Sequence, residues 1–258
     1  MMVYWKYIMM ELKSQMQYKV SFLLTALGQF LTAFTMFFGI KFLFERIDGV
    51  DDFSYGQVLL CFSVIMMSFS IGELVGGGLA VFPGMLRQGG LDRILVRPRS
   101  VIGQVIVPNM DLSRVGLLAQ AAVVLCIAIP ASGVSWTWQK VLVLGMMTAC
   151  GSVVFFCLFL IIAALSFFTL QSLDCLNILT YGMRQFGKYP FSVYGKAVLR
   201  LLTFVVPLAL VQYYPLLYLM DREDSLLYGL TPLLSLLFLI PACALYRLGR
   251  RNYQSTGS

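Results

Sequence analysis

The sequence contains no histidine. That removes the commonest general base and the commonest zinc ligand. It has no G-x-x-x-x-G-K-[ST] stretch, so it offers no Walker loop to ATP, and no H-E-x-x-H, so a zinc protease is excluded. An aspartyl dyad needs two facing acids at membrane depth, and only Asp111 qualifies. A Ser–Lys pair lacks a lysine there. The six cysteines (Cys61, Cys126, Cys150, Cys157, Cys175 and Cys243) form no C-x-x-C pair and read as small apolar packing residues. No enzymatic activity, cofactor or metal is therefore expected within the chain. Charge is also scarce, at 12% of residues against about 25% in soluble domains.

What fills the space is apolar. Hydrophobic residues make up 59% of the 258, and mean hydropathy is +0.84. A soluble domain of this size would expose patches far beyond the few hundred Å² that monomers tolerate. The chain reads as an all-α integral membrane protein, since about 20 apolar residues in a helix cross a bilayer. Six runs qualify: Val20–Ile40, Val58–Leu86, Val101–Ala131, Val141–Leu173, Leu201–Met220 and Leu226–Tyr246. None alternates as the strands of a membrane barrel would. The first run is longer than the core of a secretory signal and follows four charges, so it reads as a span. The whole chain, 1–258, reads as one transmembrane domain: 1–17 at the interface, six spans over 20–246, and a tail over 247–258.

Charge placement sets the orientation. Fourteen of the nineteen basic residues fall in the N-terminal segment, the loops after spans two and four, and the tail. Glu45, Asp48, Asp51, Asp52, Asp221, Glu223 and Asp224 fall on the other side, with only Lys41, Arg46, Lys140 and Arg222 for company. By the positive-inside rule both termini are cytoplasmic. The net charge of +7 is then topology, not a nucleic-acid footprint.

Three segments outside the spans carry a pattern. In residues 1–17, Trp5, Ile8, Met9, Leu12 and Met16 recur at helical spacing opposite Lys6, Lys13 and Gln17, as in a helix lying in the membrane interface with Tyr4 and Trp5 at headgroup level. In the loop after span two, Gly89-Gly90 ends one helix, Leu91–Val96 can form a short one, and Pro98 stops it. Leu91 and Leu95 share a side, which makes an apolar docking ridge. After span four, Leu173, Leu176, Leu179 and Met183 recur with Asp174, Asn177 and Arg184 between them, which suggests either an amphipathic cytoplasmic continuation of span four, stopped by Gly187 and Pro190, or the lining of a cytoplasmic vestibule. Three ionisable residues lie within the apolar runs: Glu73, Asp111 and Arg114. A charge at membrane depth is costly unless paired. Arg114 can pair with Asp111 three residues away, or with Glu73 across the hairpin. Gly72-x-x-x-Gly76 permits close helix approach. Phe30, Phe34, Phe37 and Phe38 form a stripe along span one, suited either to lipid or to an amphiphilic cargo.

Together, the basic N-terminal helix, the six spans, the G-G-L-D-x-x-L-x-R-P loop (Gly89–Pro98), the F-x-x-Y-P element (Phe186, Tyr189, Pro190) and the later F-V-V-P and Y-Y-P prolines (Pro207, Pro215) resemble the permease subunits of bacterial ABC type-2 exporters. The resemblance covers nearly the whole chain. It implies a half-transporter in the cytoplasmic membrane that pairs with a second permease, identical or paralogous, and with a dimer of separate ATPase subunits holding ATP and Mg. It implies that residues 1–17 are the elbow helix and that Leu91, Asp92, Leu95 and Arg97 belong to a coupling helix received by the ATPase. It also implies that spans one, two and five line the dimer interface and the path of an amphiphilic cargo, and that spans five and six are joined by an external re-entrant hairpin. The competing classes are an ion-gradient-driven transporter, which would need relay residues and inverted repeats, and a membrane immunity or assembly factor that does not transport.

Overall fold

The structure is a computed structural model and describes residues 2–45, 53–169, 178–223 and 225–253. Arg46, Asp48, Asp51, Asp52, Leu173, Asp174, Cys175, Leu176, Asn177 and Asp224 lie outside the described residues, as do the side chains of Tyr4, Trp5 and Ile8. Every regular element among the described residues is helical: α1 (Met2–Gln15), α2 (Lys19–Phe44), α3 (Tyr55–Gly76), α4 (Phe82–Arg87), α5 (Gly90–Leu95), α6 (Val101–Ile106), α7 (Val115–Ala131), α8 (Trp138–Leu165), α9 (Met183–Phe186), α10 (Gly195–Phe204), α11 (Tyr213–Leu219), α12 (Leu226–Ser235) and α13 (Leu239–Arg251). Among the described residues, five helical stretches are long and apolar enough to cross a membrane: Leu12–Phe42, Tyr55–Arg87, Leu112–Ala131, Trp138–Leu165 and Leu226–Arg251.

Helices α3 and α8 form the centre. α3 packs on α7 and α8, α12 and α13 pack on α8, and α2 packs on α7. The glycines of the Gly72-x-x-x-Gly76 motif explain the tightest of these contacts. A Cβ on Gly72 would sit 2.7 Å from the Cβ of Phe155, and one on Gly76 would sit 3.0 Å from the Phe156 ring. Larger residues would force α3 and α8 apart, so small ones are needed here. The first span is peripheral: 6% of its most apolar window is buried, against 78% for the second.

Among the described residues, the Val141–Leu173 run is helical to Leu165 and then turns, and two other apolar runs divide into separate helices. The Leu201–Met220 run divides into α10 and α11, joined by an irregular stretch over 205–212. Pro207 lacks an amide hydrogen and follows the end of α10 by three residues, so the helix cannot continue through it. The stretch is buried from Val206 to Ala209, and its backbone groups are paired within the protein. The Ala209 amide donates to the Leu202 carbonyl at 2.8 Å, and the Thr231 hydroxyl donates to the Leu210 carbonyl at 2.9 Å. Irregular backbone at membrane depth is tolerated only when enclosed in this way. The Val101–Ala131 run likewise divides: α6 ends in a 3₁₀ turn at Val107–Asn109, the chain extends through Met110 and Asp111, and a second 3₁₀ turn, Leu112–Arg114, opens α7. Asp111 and Arg114 therefore stand at a helix break, not within a helix.

At the other end of the chain, α1 passes into α2 through a 3₁₀ turn (Met16–Tyr18) whose flanking residues keep helical dihedral angles. Gln15 fastens this junction to the break in the third run. Its side-chain nitrogen donates to the Met110 carbonyl at 2.6 Å, and its side-chain oxygen accepts from the Leu112 amide at 3.0 Å.

Candidate functional site: a charged network beside a short connecting helix

Glu73 lies late on α3 with its side chain 2% exposed. Its Oε1 receives two donors, Arg114 Nη1 at 3.2 Å and the Tyr181 hydroxyl at 2.9 Å. Arg114 also bonds Asp111 through Nε at 3.0 Å, so both pairings open to it are realised at once. The break at Met110–Asp111 makes this possible. Asp111 caps the second 3₁₀ turn by accepting from the Ser113 amide, and it accepts from the Ser113 hydroxyl at 2.6 Å. Ser113 in turn accepts from Gln29 of α2 at 3.2 Å. Arg184 adds a second cation, its guanidinium 4.6 Å from the centre of the Phe69 ring and 5.8 Å from that of Tyr181. Phe69 and Glu73 are four residues apart on α3 and share a face.

The cluster therefore holds two acids and two bases, and it ties together α2, α3, the start of α7 and the segment before α9. Mutual neutralisation is what makes a buried carboxylate tolerable at this depth. Glu73, Asp111 and Arg114 were evident as charges inside apolar runs. Tyr181, Gln29 and Ser113 were not, because a tyrosine in a loop or a glutamine in a span carries no such mark. Among the described residues, no group of three Cys, Asp or Glu side chains is placed to hold a metal ion.

The connecting loop lies at the same end. Gly89 adopts a left-handed φ of 65° between α4 and α5, a conformation glycine takes without a Cβ penalty. Leu91 does not join Leu95 in an outward ridge. It is fully buried, in one cluster with Leu86 and Val101. Spacing told which residues share a side but not how far along the helix the core reaches. The outward surface is instead Arg93, Leu95, Val96 and Arg97, with Val96 86% exposed. Asp92 accepts from the Tyr253 hydroxyl at 3.2 Å, and Gln104 donates to the Ile94 and Arg99 carbonyls. Burial and the Asp92 carboxylate push the Tyr253 phenol above its ordinary pKa.

Phe30, Phe34 and Phe37 are half-buried on α2, with ring centroids 5.0 and 5.7 Å apart in succession. At the opposite end of α3, Lys140 and Asp221 form a second ion pair, with Lys140 Nζ 2.7 Å from one Asp221 oxygen and 2.8 Å from the other. Ser135 also donates to Asp221. Asp221 holds a positive φ of 54°. The hydrogen bond from Lys140 holds its carboxyl below the usual carboxylate range.

The profile of the family described as ABC-2 family transporter protein matches residues 30–257. The chain belongs to the ABC-2 transporter family. It is thus a multi-pass membrane protein and a permease component of an ABC transporter. The match takes in all of α3 to α13, including the charged network apart from Gln29, and the whole α4–α5 loop. No curated protein and no solved structure matches the chain.

Proposed function

We propose that this ABC-2 permease is half of an ATP-driven exporter, with its basic end in the cytoplasm of a bacterial cell and its acidic end outside. In this reading α1 is the elbow helix, and α10 with α11 forms a sixth, broken span, so that both termini are cytoplasmic. A second permease, identical or paralogous, completes the translocation path. Separate ATPase subunits bind ATP and Mg and meet the permease at the α5 loop. The chain itself does no ATP chemistry, and the cargo is an amphiphile passing near the Phe30, Phe34 and Phe37 stripe.

The observation that carries the reading is the division of labour within α5 and its flank. Leu91 is anchored in the core while Leu95, Val96 and Arg97 point outward. A partner pressing on the outward residues therefore moves a rigid unit. The unit is joined to α3 through α4 and to the C-terminal segment through Asp92 and Tyr253. The Glu73–Arg114 pair stiffens the hairpin between the second and third spans, so that the motion reaches the membrane interior. The test is co-purification of the permease with its cognate ATPase. Leu95→Asp with Val96→Asp should abolish the complex while leaving the permease inserted in the membrane. Undiminished binding would overturn the docking assignment.

A further inference from the structure

A cavity of about 430 Å³ opens between α1 and the loop that follows α5. Tyr7, Arg97, Arg99, Gly103, Gln104 and Pro108 line it. Among the described residues, its wall has two guanidinium groups and a phenol and no carboxylate. Arg97 and Arg99 are both exposed, and among the described residues neither forms an ion pair. Two unpaired arginines converging on one cavity favour a doubly liganded oxyanion, because the planar guanidinium presents parallel donors that match phosphate oxygens.

Depth identifies the source of that phosphate. Tyr7 lies on α1, which the proposed function places as an elbow helix in the cytoplasmic interface, and such a helix lies among the lipid headgroups. Met9 and Met10 are exposed on the same helix and supply apolar surface for acyl chains. We infer that this cavity is a binding site for the phosphate of an anionic phospholipid, held by Arg97, Arg99 and Tyr7, and that the lipid fastens α1 to the α5 loop.

The site rests on the interfacial placement of α1 proposed above and shares Arg97 with the ATPase-facing surface, but its test uses the permease alone, so loss of lipid binding and loss of the ATPase complex are read separately. Purified permease in mild detergent is titrated with phosphatidylglycerol or phosphatidylcholine, and adducts are read by native mass spectrometry. Phosphatidylglycerol should bind preferentially, and Arg97→Gln with Arg99→Gln should weaken it about thirtyfold. The charge-matched pair Arg87→Gln with Arg93→Gln removes two exposed arginines outside the cavity and should change binding less than about threefold. Equal binding of both lipids by the wild type, or equal loss in both double variants, would overturn the site. Inorganic phosphate at millimolar concentration should leave the lipid adduct intact. Displacement by phosphate would assign the cavity to a soluble anion and overturn the lipid.

Discussion

Each end of α3 is closed by an ion pair, but opposite partners are hidden. Near Glu73 the acid is buried, 2% exposed, and its base Arg114 is 31% exposed. Near Tyr55 the base is buried, with the Lys140 side chain 6% exposed and Asp221 60% exposed. Glu73 also belongs to a network reaching four segments, whereas Lys140 and Asp221 join the first turn of α8 to the turn after α11, with Ser135 as a further partner of both. Deleting the exposed partner strands a buried charge. Deleting the buried partner leaves a charge that water can still solvate. Which partner is buried, and not the sign of its charge, should therefore rank the effects of mutation.

The largest effect should come from Arg114→Leu. It leaves Glu73 with the Tyr181 hydroxyl as its hydrogen-bond donor and Arg184 as the remaining cation of the cluster, and its other carboxylate oxygen, Oε2, is buried and has no hydrogen-bond partner among the described residues. A loss of about 3 kcal/mol is expected for stranding one charge of a buried pair, read as a lower unfolding temperature in detergent. Glu73→Gln combined with Arg114→Gln should recover part of the loss. A double-mutant cycle with no coupling energy would reject the direct pairing.

At the other end of α3 the ranking inverts. Asp221→Asn strands buried Lys140 with Ser135, while Lys140→Met removes the buried charge and leaves Asp221 in water. The aspartate variant should lower the unfolding temperature by more than the lysine variant, and both by less than Arg114→Leu. Equal effects of Asp221→Asn and Lys140→Met would break the argument from burial. A third and smaller effect is expected from Tyr181→Phe, about 1 kcal/mol for one lost hydrogen bond. Arg114 still satisfies the same Glu73 oxygen in that variant.

The two ends were also unequally legible. Glu73, Asp111 and Arg114 stood out because a charge inside an apolar run is expensive and so demands a partner. Lys140 and Asp221 sit beside the spans, where charges are ordinary, and they served only to orient the chain. Their pairing depends on loop geometry that no periodicity encodes. The helix break at Met110–Asp111 did have a local sign. Pro108, Asn109 and Asp111 are turn formers within four residues, but the apolar residues on either side outweighed them in a reading by hydropathy. In the Leu201–Met220 run the two prolines were visible, yet hydropathy alone reads α10, the irregular stretch and α11 as one span. Leu91 shows a different limit. Its i, i+4 relation to Leu95 is real, but a six-residue helix can bury its first turn and expose its last.

The smallest expected effect separates the two ends by pH. Lys140 holds the Asp221 carboxyl below its ordinary value by hydrogen bonding, with Ser135 assisting. A carboxyl whose folded pKa is depressed contributes stability that is fully present above its unfolded pKa. That contribution is lost as pH falls through the lower folded value. Wild-type protein should therefore be more stable than Lys140→Met by a constant, small margin from neutral pH down to the ordinary aspartate range, about pH 4. Below that the margin should shrink and close as Asp221 takes up its proton. Because Asp221 is exposed, screening keeps the margin small and added salt should reduce it further. Unfolding temperatures of the two proteins measured between pH 7 and pH 3 provide the check. A margin that widens on acidification would show that the buried lysine is a burden the aspartate does not relieve, and would reverse the assignment of this pair as a clamp.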